Sequence, residues 1–151
     1  MPRSAGTIYL DEQVARAAAV LAGAFDAAPI EMACAGALSV TLYITYTRGG
    51  AAGAVDVQLQ TSPYSVDRAG VEDWFTQDLY AAAAVVPGAD TVSNIQREQI
   101  TYTATGVGAE NYVLDPIDLG GTVERLRVRC LESGNAEAPG TCHIVAMFSW
   151  D

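Results

Sequence analysis

The stretch from Leu38 to Thr47, LSVTLYITYT, constrains the fold of this chain more than any other. Val40, Leu42, Ile44 and Tyr46 fall on one side of a two-residue period; Ser39, Thr41, Tyr43, Thr45 and Thr47 fall on the other. Successive side chains of an extended strand point to opposite faces, so the pattern is that of a half-buried strand. Its β-branched and aromatic residues pack well on a pleated surface. RGGAAG (Arg48 to Gly53) follows, and then AVDVQLQTS sets Val55, Val57 and Leu59 against Asp56, Gln58 and Gln60. Strand, glycine-rich turn and strand predict a β-hairpin.

More of the same follows. SNIQREQITYTATG places Ile100 and Tyr102 opposite Thr101 and Thr103, and AENYVLDPIDLGG reads as a short strand ended by Pro116. TVERLRVRCLE and TCHIVAMFSW are two more strands, joined by SGNAEAPG, a loop dense in turn residues. In EDWFTQDLYAAAAVVPG, the residues Trp74, Phe75, Leu79 and Tyr80 fit a strand pair or one helical turn equally. Asp11 to Phe25 also has two readings. Val14, Ala18, Leu21 and Phe25 have helical spacing behind an Asp11 N-cap, although Gly23 costs about 1 kcal/mol relative to alanine. A buried strand through AAAVLAGAF fits as well. Six to eight short strands in 151 residues predict an all-β, single-domain antiparallel β-sandwich, jelly-roll-like, over residues 13–151. Residues 1–12 are expected to form an extended N-terminal arm, with one short helix optional at 11–25.

The formal net charge is −10, and all eight basic residues are arginine. So acidic a chain is poorly suited to neutralising phosphates, which excludes direct binding to nucleic acid as an expectation. The apolar run after Arg16 is too short and interrupted for a membrane span. Asp11 and Glu12 stand where a secretory signal needs positive charge, so synthesis in the cytoplasm without secretion is expected.

Chemistry-bearing patterns are sparse. Three cysteines and one histidine, scattered at positions 34, 130, 142 and 143, do not make a zinc site, and no cofactor or catalytic residue is expected. His143 and Cys142 point to opposite faces of one strand, which separates a would-be base from its nucleophile. Asp115 and Asp118, with Glu110, offer too few oxygens for calcium, which takes six to eight ligands. Tyr43, Tyr46, Tyr64, Trp74, Tyr80, Tyr102, Tyr112 and Trp150 are spread over many strands, as core packing requires, rather than forming a sugar platform. Cys130 and Cys142 lie symmetrically about the loop centre at Ala136. If their strands pair as a hairpin, their Cβ atoms stand about 4.5–5.5 Å apart, near the roughly 3.8 Å of a disulfide. Two packed thiols or a cross-strand pair both fit.

The C-terminal half, ITYTATGVGAENYVLDPIDLGGTVERLRVRCLESGNAEAPGTCHIVAMFSW, resembles small β-sandwich proteins encoded near the major capsid protein of tailed bacteriophages. The resemblance rests on Glu124, Arg125 and Arg127 at a strand, then Glu132 and Gly134, then Pro139, Gly140 and Thr141 entering the last strand. VTLYITYTRGGAAGAVDVQLQTSPYSVD, with Trp74 beyond it, is similar to the earlier hairpin of that family. It implies a capsid decoration or other head-surface protein, an oligomer (a trimer by preference) bound non-covalently to the major capsid protein or other virion proteins. A tail or neck component, or a carbohydrate- or receptor-binding module, are the alternative expectations. On this reading Ile8, Tyr9 and Leu10 of the arm lie across a neighbouring subunit.

The three arginines of VERLRVRC complete the expectations. Period two puts Arg125, Arg127 and Arg129 on one face and Leu126, Val128 and Cys130 towards the core. Like charges about 6–7 Å apart repel unless acids answer them. Those acids lie either on the same chain across a solvated sheet face or on a neighbouring subunit, which makes the row a candidate interface.

Overall fold

The computed structural model of the protein describes residues 10–68, 73–79, 92–95, 98–133 and 139–150, with the backbone alone at 92–95 and 115. Ten strands run through them: β1 (Leu10–Val20), β2 (Met32–Ala33), β3 (Ser39–Thr47), β4 (Ala54–Ser62), β5 (Phe75–Thr76), β6 (Val92–Ile95), β7 (Ile100–Thr103), β8 (Glu110–Asp118), β9 (Arg125–Ser133) and β10 (Thr141–Ser149). They form two antiparallel sheets. Sheet A has four strands in the order β1-β10-β3-β8, and sheet B has six, β2-β9-β4-β7-β6 with β5 beside β4.

The pairs nest. β1 joins β10 in sheet A, β2 joins β9 in sheet B, β3 joins β8 in sheet A, and β4 joins β7 in sheet B. The chain is thus a ribbon of paired strands wound so that successive pairs alternate between sheets. The inner faces meet as the period-two patterns require: Leu42, Ile44, Val57, Leu59, Leu126, Val128, Ile144 and Phe148 are all at most 1% exposed. Fully burying one such side chain contributes roughly 1.5–3 kcal/mol, so this layer dominates the driving force.

Several sequence readings change or are decided. β3 and β4 are not a hairpin, because RGGAAG carries the chain from sheet A to sheet B; glycines mark the reversal but not its destination. β9 and β10 are likewise in different sheets. The segment 11–25 does not form a helix: β1 takes Leu10 to Val20, in register with β10 from Leu10↔Ser149 to Val14↔Val145. Alanine's helix propensity is worth only tenths of a kcal/mol per residue and yields to a ladder of tertiary hydrogen bonds. Residues 10–12, assigned to the arm from sequence, therefore belong to a strand. β8 runs through Pro116 to Asp118, which is tolerated because β8 is an edge strand and its register with β3 shifts between Val40 and Leu42.

Candidate functional site

The arginine row lies on the outer face of sheet B, opposite the polar side of β4. Arg125 pairs with Ser62, Arg127 with Gln60 and Arg129 with Gln58. Every member of the row bonds within its own chain. Arg125 is buried and meets Glu31 at 2.7 Å, Asp67 at 3.0 Å and the Tyr64 carbonyl at 2.6 Å. Burial opposes its charge, but Asp67 and Glu31 outweigh that and hold the guanidinium above its ordinary pKa. Arg127 donates to Gln60 Oε1 at 2.7 Å, and Arg129 to Gln58 Oε1 and the Asp26 carbonyl, both at 3.3 Å.

Aromatic rings from the two flanking segments close over the row. Trp74 lies 4.8 Å from the Arg125 guanidinium and 4.2 Å from that of Arg127, and Phe25 lies 5.2 Å from that of Arg129. As a result β4 is buried on both sides: Asp56, Gln58, Gln60 and Ser62 on its outer side are all at most 9% exposed. The row is therefore built as an internal clamp joining β9, β4 and the flanking segments, and Arg125 has little surface left for a partner. Arg127→Ala should lower stability by about 1–2 kcal/mol through loss of the Gln60 bond and the Trp74 contact, with no change in oligomeric mass. Urea denaturation and light scattering on the same sample read both; a change in mass without a change in stability would return the row to an intersubunit role.

One end of the sandwich carries a second polar group that sequence reasoning missed. Tyr46 donates to Glu132 Oε2 at 2.6 Å, and the same carboxylate accepts the Gly140 N–H at 3.0 Å. Nearby, Tyr112 donates to Glu110 Oε2 at 2.7 Å and stacks on Tyr102 with ring centroids 4.7 Å apart. Glu110 also takes the Thr105 and Gly106 N–H groups and the Thr105 hydroxyl. Burial, then the carboxylate bonds, raise the pKa of both tyrosines, so these phenols remain donors. Tyr46, Tyr102 and Tyr112, all buried, are thus unavailable to a sugar platform.

For Glu110 burial acts upward, but the donors from Thr105, Tyr112 and Gly106 prevail and hold it below its usual 4.5. A depressed folded pKa contributes stability that is complete above the unfolded value and is lost as pH falls through the folded one. The stability difference between the protein and Glu110→Gln should therefore be widest near neutrality, shrink as pH falls below about 4.5, and vanish in stronger acid. Denaturant titrations at neutral and acid pH check this; a difference that grew with acidity would be the wrong sign.

Cys130 and Cys142 lie buried in different sheets rather than across a hairpin, and the Cys142 side chain, then burial, pushes the Cys130 thiol well up. All three cysteines are free and buried, and burial takes Cys34 to about 11. Beside the pair, Arg16 joins Asp26 at 3.0 and 3.2 Å, donates to the Cys142 carbonyl at 2.6 Å, and reaches the carbonyls of Ala19 and Val20. Asp26 in turn accepts the Cys130 N–H at 3.0 Å. A guanidinium and a carboxylate thus link the backbone of β10 to that of β9.

Sheet A differs on its outer face. Val14, Val145, Tyr43 and Val113 stand directly opposite one another, one from each strand, and make an apolar row across the whole sheet. None is buried; Val14 is 45% and Tyr43 46% exposed. Leu10, a candidate contact residue from sequence, sits at a corner of this face at 53% exposure. Ile8 and Tyr9 lie outside the described residues. His143 shares the outer face, half-buried, with Cys142 buried on the other side as expected. Asp118 accepts the Gly120 N–H at 2.8 Å, while the Asp115 side chain is outside the described set. No group of three potential metal ligands occurs among the described residues.

Compared with protein-family models, curated proteins and solved structures, the chain matches none.

Proposed function

We propose that this chain is a structural virion protein that decorates and stabilises a phage capsid, binding the shell non-covalently as an oligomer. The nested strand order carries the reading. Pairs β1·β10 and β3·β8 in one sheet, facing β2·β9 and β4·β7 in the other, are consistent with a jelly roll, the wrapping shared by viral capsid and lectin domains. Because that fold serves more than one function, the surface has to choose between them. The buried tyrosines weigh against a lectin, and the apolar row open across sheet A weighs towards assembly, since exposed apolar patches mark interaction sites. Of the residues quoted for the family resemblance, Arg125, Arg127 and Glu132 lie in β9 and Thr141 begins β10, while Gly134 is outside the described residues.

Mixing the purified protein with heads of the encoding phage and sedimenting through a cushion tests the reading. Saturable co-sedimentation is expected. A protein that stays in the supernatant at every concentration would remove the decoration role.

A further inference from the structure

We infer that the outer face of sheet A docks a second copy of this chain, sheet against sheet about a two-fold axis. This deepens the assembly reading above, on which it rests for its setting, by naming the partner of the apolar row.

The two sheets have opposite outer surfaces. That of sheet B is already covered by the chain's own Phe25 and Trp74, whereas the described residues leave the Val14–Val145–Tyr43–Val113 row of sheet A open. Threonines and serines of β3 flank the row, giving short polar positions between larger apolar ones, a relief that suits interdigitation of two sheets about 10 Å apart.

Charge selects the occupant. Two copies of a chain at −10 repel over most of their surfaces. Among the residues of this face whose side chains are described, the acidic or basic ones are Glu12, Asp118 and His143, none of them in the apolar row. A basic partner would gain more from the acidic surface elsewhere; a second copy meets least repulsion here. Area agrees. Four strands about 4.8 Å apart, with about nine residues at roughly 3.3 Å each, present about 550 Å² per copy and about 1,100 Å² in all, just past the roughly 1,000 Å² of a specific interface. A face that meets itself must be isologous, so the product is a closed pair.

The test uses the whole protein. Light scattering across a dilution series should give twice the 15.8 kDa chain mass at about 50 μM, falling to the chain mass on dilution, as expected for a modest interface. Val145→Lys and Tyr43→Lys put a charge on the row of each copy and should weaken pairing about 100-fold or more, while melting temperatures stay within a few degrees. Arg127→Ala, on sheet B, should leave pairing unchanged. A protein monomeric throughout the series, or a pair indifferent to both lysine variants, overturns the inference. Head co-sedimentation separates the two readings. A pair that ignores heads removes decoration and keeps self-docking; monomers that bind heads and lose them in Val145→Lys give this face to the shell and overturn self-docking.

Discussion

Replacing Gly140 by alanine should destabilise the protein by about 3 kcal/mol or more and lower its melting temperature by roughly 6–12 °C. A Cβ at this position would collide with the Thr47 carbonyl oxygen and would stand 2.7 Å from Glu132 Oε2 and 3.0 Å from the Arg48 Cα. Two of these obstacles are backbone and cannot swing away. Moving Gly140 instead would disturb its N–H bonds to Glu132 and its carbonyl's bond from Leu21, and with them the Tyr46 contact. Gly53→Ala belongs to the same neighbourhood, since its Cβ would collide with the Tyr46 hydroxyl. Gly23→Ala is the control: nothing lies within 4 Å, so it should be neutral or slightly stabilising. Urea denaturation of the three variants orders them; Gly140→Ala within about 1 kcal/mol of Gly23→Ala would show that the end of the sandwich yields more than its packing implies.

Arg16→Met should cost about 3 kcal/mol, at the low end for breaking a buried pair because the Asp26 side chain is 25% exposed. Methionine keeps the volume and removes the donors, leaving the carbonyls of Ala19, Val20 and Cys142 without their guanidinium and Asp26 without its counter-ion. Burial works against the Arg16 charge, yet Asp26 holds its pKa above the ordinary arginine value, so the cation belongs to the folded state. The register of β1 on β10 shifts on both sides of Arg16, and these bonds hold that irregular stretch in place. Hydrogen exchange offers a second readout: β1 beyond Val14 should lose protection before the centre of sheet A does. A loss below about 1 kcal/mol, with β1 protection intact, would mean that the alanines there hold themselves.

Strands were legible in this sequence wherever one face is apolar. The period-two runs at Leu38–Thr47, Arg125–Cys130 and Thr141–Ser149 map onto strands with the anticipated faces inward. Pairing was not legible, because a glycine-rich reversal has the same local chemistry whether the next strand stays in the sheet or crosses to the other. That ambiguity produced the hairpin reading of β3–β4 and left the pairing of β9 with β10 open. Residues 11–25 stayed open between helix and strand for another reason: alanine commits to neither structure, and β10, more than a hundred residues later, decides. The arginine row showed its face but not its cover, since Trp74 and Phe25 reach it from remote segments. Glu132 and Tyr46 are 86 residues apart, and nothing near either one announces the other.

β1 pairs with β10, and this orders events during synthesis. At roughly 5–20 residues per second, the 121 residues that follow Val20 up to and including its partner Thr141 take on the order of 6–24 s to emerge. Until then Val14 and Leu10 have no ladder to join, and β3 lacks the neighbour that separates it from β1. Over that interval the nascent chain carries this edge of β3 without its neighbour. A chain cut short before Thr141 would lose the centre of sheet A along with its end, and should aggregate rather than persist as a smaller domain.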